Sequence, residues 1–219
     1  MYLKKINIYI KKNLSTILII ILFLILLYNF MFNKYENFTT QKICVVGNGP
    51  LTKEDVKQIN NHDIICEINN RNKKEKDNIN GTHLFLRSNS KSYHGISNDI
   101  PKSIKNVIFI NGSESGNLIT NKYLNNIKKI DENINIEMYT FKLNNKNDFE
   151  FDNQKYKLTN SPSAGIIVLK YILEKYPNNK INIYGMNSVN KGYHDFKLEK
   201  EMIKNSKNCI LHKTYKDVY

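Results

Sequence analysis

The stretch from Lys42 to Ile68 constrains the fold more than any other part of the chain. An apolar run, KICVV over 42–46, ends abruptly in Gly47-Asn48-Gly49-Pro50. A run closed by glycine and proline in this way reads as a buried strand entering a tight turn. Thr52, with Asp55 three residues later, resembles a capping box and opens a helix to about Asn60. A second apolar run, DIICEI over 63–68, follows. Strand, glycine turn, helix and strand in this order form the unit from which parallel sheets are made.

The pattern continues along the chain. His83 to Arg87 and Asn106 to Asn111 read as buried strands, Asn121 to Ile130 as a helix, and Asn135 to Phe141 as a strand. Lys142 to Lys157 is charged, rich in Asn and without periodicity, so a surface loop is expected there. Ser163 to Tyr176 follows Pro162, has Ser163 as a candidate N-cap, and carries a helical apolar face in Ile166, Ile167, Leu169 and Leu173. KINIY over 180–184 reads as a strand ended by Gly185, and a last helix is expected from about Phe196 to Asn205. No internal repeat is present. The expected class is α/β, with a Rossmann-like, mostly parallel sheet.

Ahead of this region lies an uncharged block from Leu14 to Phe32, LSTILIIILFLILLYNFMF. At about 1.5 Å per residue, roughly 20 helical residues cross the ~30 Å hydrocarbon core of a bilayer. The block lacks the polar face of a core helix and the small residues of a signal-peptide cleavage site. Lys4, Lys5, Lys11 and Lys12 precede it, which favours a cytoplasmic N-terminus. The expectation is a cytoplasmic tail over 1–13, a transmembrane signal anchor over 14–32, a stem over 33–41 and one domain over 42–219. The protein would then be a single-pass type II membrane protein, with the membrane as a partner and its bulk in the Golgi or another secretory lumen. Asn37, Asn80 and Asn111 each begin a glycosylation acceptor, which permits that placement. Cys44, Cys66 and Cys209 would allow one disulfide there and leave one thiol over.

The net charge of +13 raises nucleic-acid binding as an option, because basic surfaces collect phosphates. The lysines are scattered, Arg is scarce and no reading motif is present, so no nucleic-acid partner is expected.

Chemistry is expected beyond the carboxyl ends of the strands, where glycine turns let a ligand approach the backbone. One candidate is Gly47-Asn48-Gly49, although it lacks the third glycine of a dinucleotide fingerprint. A second is Ser161-Pro162-Ser163-Ala164-Gly165, where free amides and the helix dipole would favour a phosphate. Each also reads simply as a tight turn or a helix cap. A third candidate is His194, since histidine is the side-chain type best suited to general-base work at neutral pH, although a histidine beside a helix start is commonly a cap or surface group. No obvious metal cluster is present, nor is the acid pair used in sugar hydrolysis apparent.

In combination these segments resemble the eukaryotic sialyltransferases, glycosyltransferase family 29. The large motif of that family is similar to the run from Lys42 to Leu51, continuing through Asn61 to Asn69 and closing at Gly81 to Asn89. The small motif is similar to Ser161 to Gly165 with Ile181 to Gly185, and the final His-x4-Glu motif to His194 and Glu199. Gly49-Pro50 is also similar to the corresponding turn of the bacterial family 42 sialyltransferases. The resemblance implies a GT-A-variant, Rossmann-like fold and transfer of sialic acid, or a related sugar, from a CMP-sugar donor to a glycan acceptor. It implies inversion, with no metal and no further cofactor. It also implies that Asn48 and Asn69 bind the nucleotide, that Ser163, Ala164 and Gly165 hold its ribose and phosphate, that His194 takes the acceptor proton, and that Glu199 orients the last helix.

The chain departs from the family pattern at four places. The family pairs the cysteine matching Cys44 with one in the small motif, whose position is taken here by Tyr176. Glu67 stands where an arginine is usual, an aromatic and histidine patch before His194 is missing, and only about ten residues separate Tyr184 from His194. These departures keep two other readings open: a catalytically inactive relative that binds a nucleotide or glycan, and a basic tethered protein that binds anionic polymers.

Overall fold

The computed structural model describes residues 14, 16, 18–28, 41–69, 78–87, 100–111, 132–141, 148–186 and 194–212. The chain divides into two compact units, Met1–Thr40 and Gln41–Tyr219. In the first unit, residues 14, 16 and 18–28 are helical, and the apolar side chains of 18–28 are exposed.

The membrane anchor expected over 14–32 is corrected here. Among the described residues no helix is long and apolar enough to cross a membrane. The membrane partner, the type II topology and the Golgi or secretory-lumen location all rested on that anchor, and they fall with it. The stem expected over 33–41, apart from Gln41, the acceptor at Asn37 and the helix expected over 121–130 lie outside the described residues.

The second unit is built on a seven-stranded sheet. Its strands are β1 (Ile43–Val46), β2 (Ile64–Ile68), β3 (His83–Arg87), β4 (Asn106–Asn111), β5 (Asn135–Thr140), β8 (Ile181–Tyr184) and β9 (Cys209–Leu211). They lie in the order β5-β4-β3-β2-β1-β8-β9, and every pairing is parallel. This is the α/β arrangement with a parallel sheet that the sequence leads one to expect. A separate antiparallel hairpin joins β6 (Asp148–Phe151) to β7 (Gln154–Lys157). Three helices complete the described part of this unit: α1 (Lys53–Ile59), α2 (Ala164–Lys175) and α3 (Phe196–Asn205).

Side chains alternate across each strand, so the sheet buries both faces. Ile43 and Val45 of β1, Cys66 and Ile68 of β2 and Phe85 of β3 share one core with Ile166, Ile167, Val168 and Leu169 of α2 and with Met202 and Ile203 of α3. Cys44, Val46, Ile65 and Tyr184 pack on the other face with Ile59 of α1. Leu84, Leu86, Val107 and Phe109 extend that second face. Cys44 and Cys66 therefore point to opposite faces, and all three cysteines are free thiols. Burial pushes the Cys44 and Cys66 thiols well above the ordinary range.

α1 starts as its capping box dictates. The Thr52 hydroxyl accepts from the Asp55 amide at 3.0 Å, and the Asp55 carboxylate accepts from the Thr52 amide at 2.7 Å.

The loop expected over 142–157 is corrected across 148–157, where the hairpin forms. Phe149 and Phe151 alternate with charged residues and are buried, with their rings stacked 6.5 Å apart. Asp152 and Asn153 both adopt positive φ, at 47° and 62°, which is what a tight two-residue turn of primed type requires.

Ile167 is fully buried, whereas Ile210 is 43% exposed. Ile167→Ala is expected to lower unfolding free energy by about 2–5 kcal/mol and Ile210→Ala by no more than roughly 0.5 kcal/mol. Urea denaturation of both variants checks this, and comparable losses at the two positions would contradict the assigned core.

Candidate functional site

From β1 the strand order runs outward in one direction through β2, β3, β4 and β5, and in the other through β8 and β9. The order therefore reverses between β1 and β8, and ligands of open parallel sheets bind in the crevice at the carboxyl end of such a reversal. The backbone narrows there. The Gly47 amide donates to the Tyr184 carbonyl at 2.8 Å, and the Gly49 amide to the Gly185 carbonyl at 2.6 Å. A side chain at Gly49 would meet that carbonyl oxygen at 2.7 Å, so the close approach of the two turns requires glycine.

The start of α2 reaches the same place. The Met186 side chain lies against Gly47 at its Cγ and against Gly165 at its Cε, and it bridges the turn after β1 to the first turn of α2. Ser163 caps α2, its hydroxyl accepting from the Ile166 amide at 3.3 Å. The next two amides, those of Ala164 and Gly165, have no acceptor within the helix and present the positive end of its dipole. Two sequence candidates far apart in the chain thus share one end of the sheet.

Three consecutive clasps tie the α2 entry loop to the start of α3. Thr159 donates to the Asp195 carboxylate at 2.9 Å, and Asp195 also caps α3 by accepting from the Leu198 amide at 3.2 Å. His194 Nδ1 lies 2.7 Å from the Ser161 carbonyl. Ser163 donates twice to Glu199, from its amide to Oε1 at 2.7 Å and from its hydroxyl to Oε2 at 2.6 Å.

These contacts fix the chemistry each group can perform. A carbonyl oxygen only accepts, so in neutral His194 the proton sits on Nδ1 and the lone pair on Nε2. The ring is half-buried and meets Phe196 edge-on at 5.5 Å. Glu199 is 4% exposed, and burial raises its carboxyl pKa above the ordinary value. The two Ser163 bonds and the nearby His194 oppose that rise without cancelling it. Since both Glu199 oxygens are taken by Ser163, its geometry is that of a positioning residue for the α2 cap and α3.

The two asparagines sit at the carboxyl ends of neighbouring strands. Asn48 is exposed at the tip of the turn after β1. Asn69 follows β2 with φ at 53°, a left-handed conformation that Asn tolerates, and its amide donates to the Phe85 carbonyl at 2.8 Å. Glu67 is buried with its carboxylate against Gly81, so this acidic side chain is turned into the core.

Sequence reasoning missed Met186, Asp195, Thr159 and Arg87. An Asp four residues before Glu199, at the start of an amphipathic run, is an N-cap signal that could have exposed Asp195. Nothing in the sequence marks Met186, whose role depends on the strand order.

A second titratable cluster lies toward the other end of the sheet. Glu137 of β5 accepts from the Tyr171 hydroxyl at 2.7 Å and from Lys175 at 3.0 Å. Burial pushes the Glu137 carboxyl up, but these bonds outweigh it and hold the group below its ordinary value. Burial, aided by Lys175, takes His83 down to about 4. Each of the three bonded groups has a partner within the cluster, which makes it a structural brace between β5 and α2. Among the described residues no group of three or more His, Cys, Asp or Glu side chains is placed to hold a metal ion.

No family model, no curated protein and no solved structure matches the chain.

Because its carboxyl pKa is raised on folding, Glu199 contributes stability that is fully present below its unfolded pKa and lost as pH rises through the folded one. Glu199→Gln keeps the size and removes the titration. The unfolding temperature of the wild type, relative to that variant, is therefore expected to fall as pH is raised upward from about 4. A pH-independent difference between the two proteins would contradict the buried, titrating carboxyl.

Proposed function

We propose that the chain is a glycosyltransferase that moves a sugar of the sialic acid kind from a CMP-activated donor to a hydroxyl of a glycan acceptor. The observation that carries this reading is the gathering of the Gly47–Gly49 turn, the capped start of α2 and the His194–Glu199 segment at one end of the sheet. That convergence supports the reading by putting the first amides of α2 and the His194 imidazole on adjacent segments. The sequence resemblance supplies the identity of the donor.

In the proposed reaction the acceptor oxygen attacks the anomeric carbon. Its O–H proton passes to His194 Nε2, the new C–O bond forms, and the bond from the anomeric carbon to the phosphate oxygen breaks with inversion. CMP departs carrying the electron pair of that bond. The Ala164 and Gly165 amides face the growing phosphate charge, which is where a fixed dipole lowers the barrier most. The Ser161 carbonyl holds the imidazole in the tautomer whose Nε2 can receive a proton, and it continues to accept from Nδ1–H once the ring is charged. Glu199 acts through Ser163, keeping the helix start in register with α3.

His194→Ala is expected to lower CMP release from a CMP-sugar donor by about 10²–10⁴-fold, the usual range for a general base. CMP affinity should be left nearly unchanged, because the nucleotide sites lie on other segments. Steady-state CMP release and a CMP titration measure the two quantities. Undiminished turnover in the variant would overturn the assignment of the base, and absence of CMP binding to the wild type would overturn the whole reading.

A further inference from the structure

We infer that Arg87 grips an oxyanion of the donor, either the nucleotide phosphate or the carboxylate of the transferred sugar. This inference rests on the reading of the cleft as a CMP-sugar site. Arg87 is the last residue of β3, at the carboxyl end of the sheet. Phe85, two residues before it, belongs to the core beneath α2, whereas Leu84 and Leu86 belong to the opposite face. Alternation therefore puts Arg87 on the α2 and α3 face, the face that carries Ser163 and Glu199.

The Arg87 guanidinium offers a donor suited to an anion. Its Nε is buried and has no hydrogen-bond partner among the described residues. Burial lowers its pKa, and the nearby charge of Glu199 only partly offsets that effect. Glu199 is engaged by Ser163, which donates to both of its carboxylate oxygens, and its charge reaches Arg87 only through space. A buried N–H donor without a partner is costly, and the planar fork of arginine matches the oxygen spacing of phosphates and carboxylates. With the α2 amides on the same face, Arg87 supplies the charged half of an anion cradle.

The test compares affinities of the full chain and its R87M and R87K variants for cytidine, CMP and CMP-sialic acid by titration calorimetry. R87M is expected to bind CMP or CMP-sialic acid at least about tenfold more weakly while keeping the cytidine affinity, with R87K recovering part of the loss. A weakened CMP complex identifies the phosphate as the anion. Unchanged CMP affinity with weakened CMP-sialic acid identifies the carboxylate. Equal affinities of R87M and wild type for both charged ligands overturn the inference and leave the cleft reading standing. Equal losses for cytidine and CMP, in R87K as in R87M, assign Arg87 a structural role and also overturn it. A wild type that binds none of the three ligands removes the cleft reading and this inference together.

Discussion

The two hydrogen bonds from Ser163 to the buried Glu199 carboxylate hold the site together. They join elements that are far apart in sequence and cap the helix whose first turn faces the cleft. A carboxylate in so dry a place is unfavourable by itself, and two short donors from one residue are what make it tolerable. Removing either side would leave a buried polar group unsatisfied, a penalty larger than the net worth of the bonds themselves. The α2 entry loop, the His194 ring and the start of α3 consequently behave as one structural piece.

Sheet order does the rest. A strand added on the far side of β1 brings the Gly185 carbonyl against the glycine turn that leaves β1, and Met186 then spans to the start of α2. The narrow passage and the helix dipole are consequences of backbone placement, so they exist before any ligand arrives. Preorganisation of this kind is what a site must have if it is to stabilise charge at the moment a bond breaks. The opposite end of the sheet has a different character. Glu137, Tyr171 and Lys175 satisfy one another there, and that end reads as a brace.

Much of the domain was legible because local signals agreed with the tertiary outcome. The Thr52–Asp55 box, the Ser163 cap and the apolar runs of β1 to β4 each specify their element within a few residues. The β6–β7 hairpin was missed because charged and Asn-rich flanks hid the alternation of Phe149 and Phe151, and because Asp152–Asn153 is a less familiar turn pair than one with glycine. The anchor expected over 14–32 was not borne out, because among the described residues no helix is long and apolar enough to cross a membrane. At the site, Ser163 could be singled out as a helix cap and His194 as an imidazole beside a helix start, whereas Glu199 came only from the family resemblance. Met186 and Arg87 could not, because their meaning comes from which strands are neighbours and which face a residue takes.

The central physical claim is that one end of the sheet, and not the other, receives a nucleotide phosphate. Backbone amide chemical shifts during a CMP titration of ¹⁵N-labelled protein read this residue by residue. Large shifts at Gly47, Gly49, Ala164 and Gly165, with Glu137 and Lys175 unmoved, are the expected result. Shifts confined to the Glu137–Lys175 end, or none at the α2 start under saturating CMP, would contradict it.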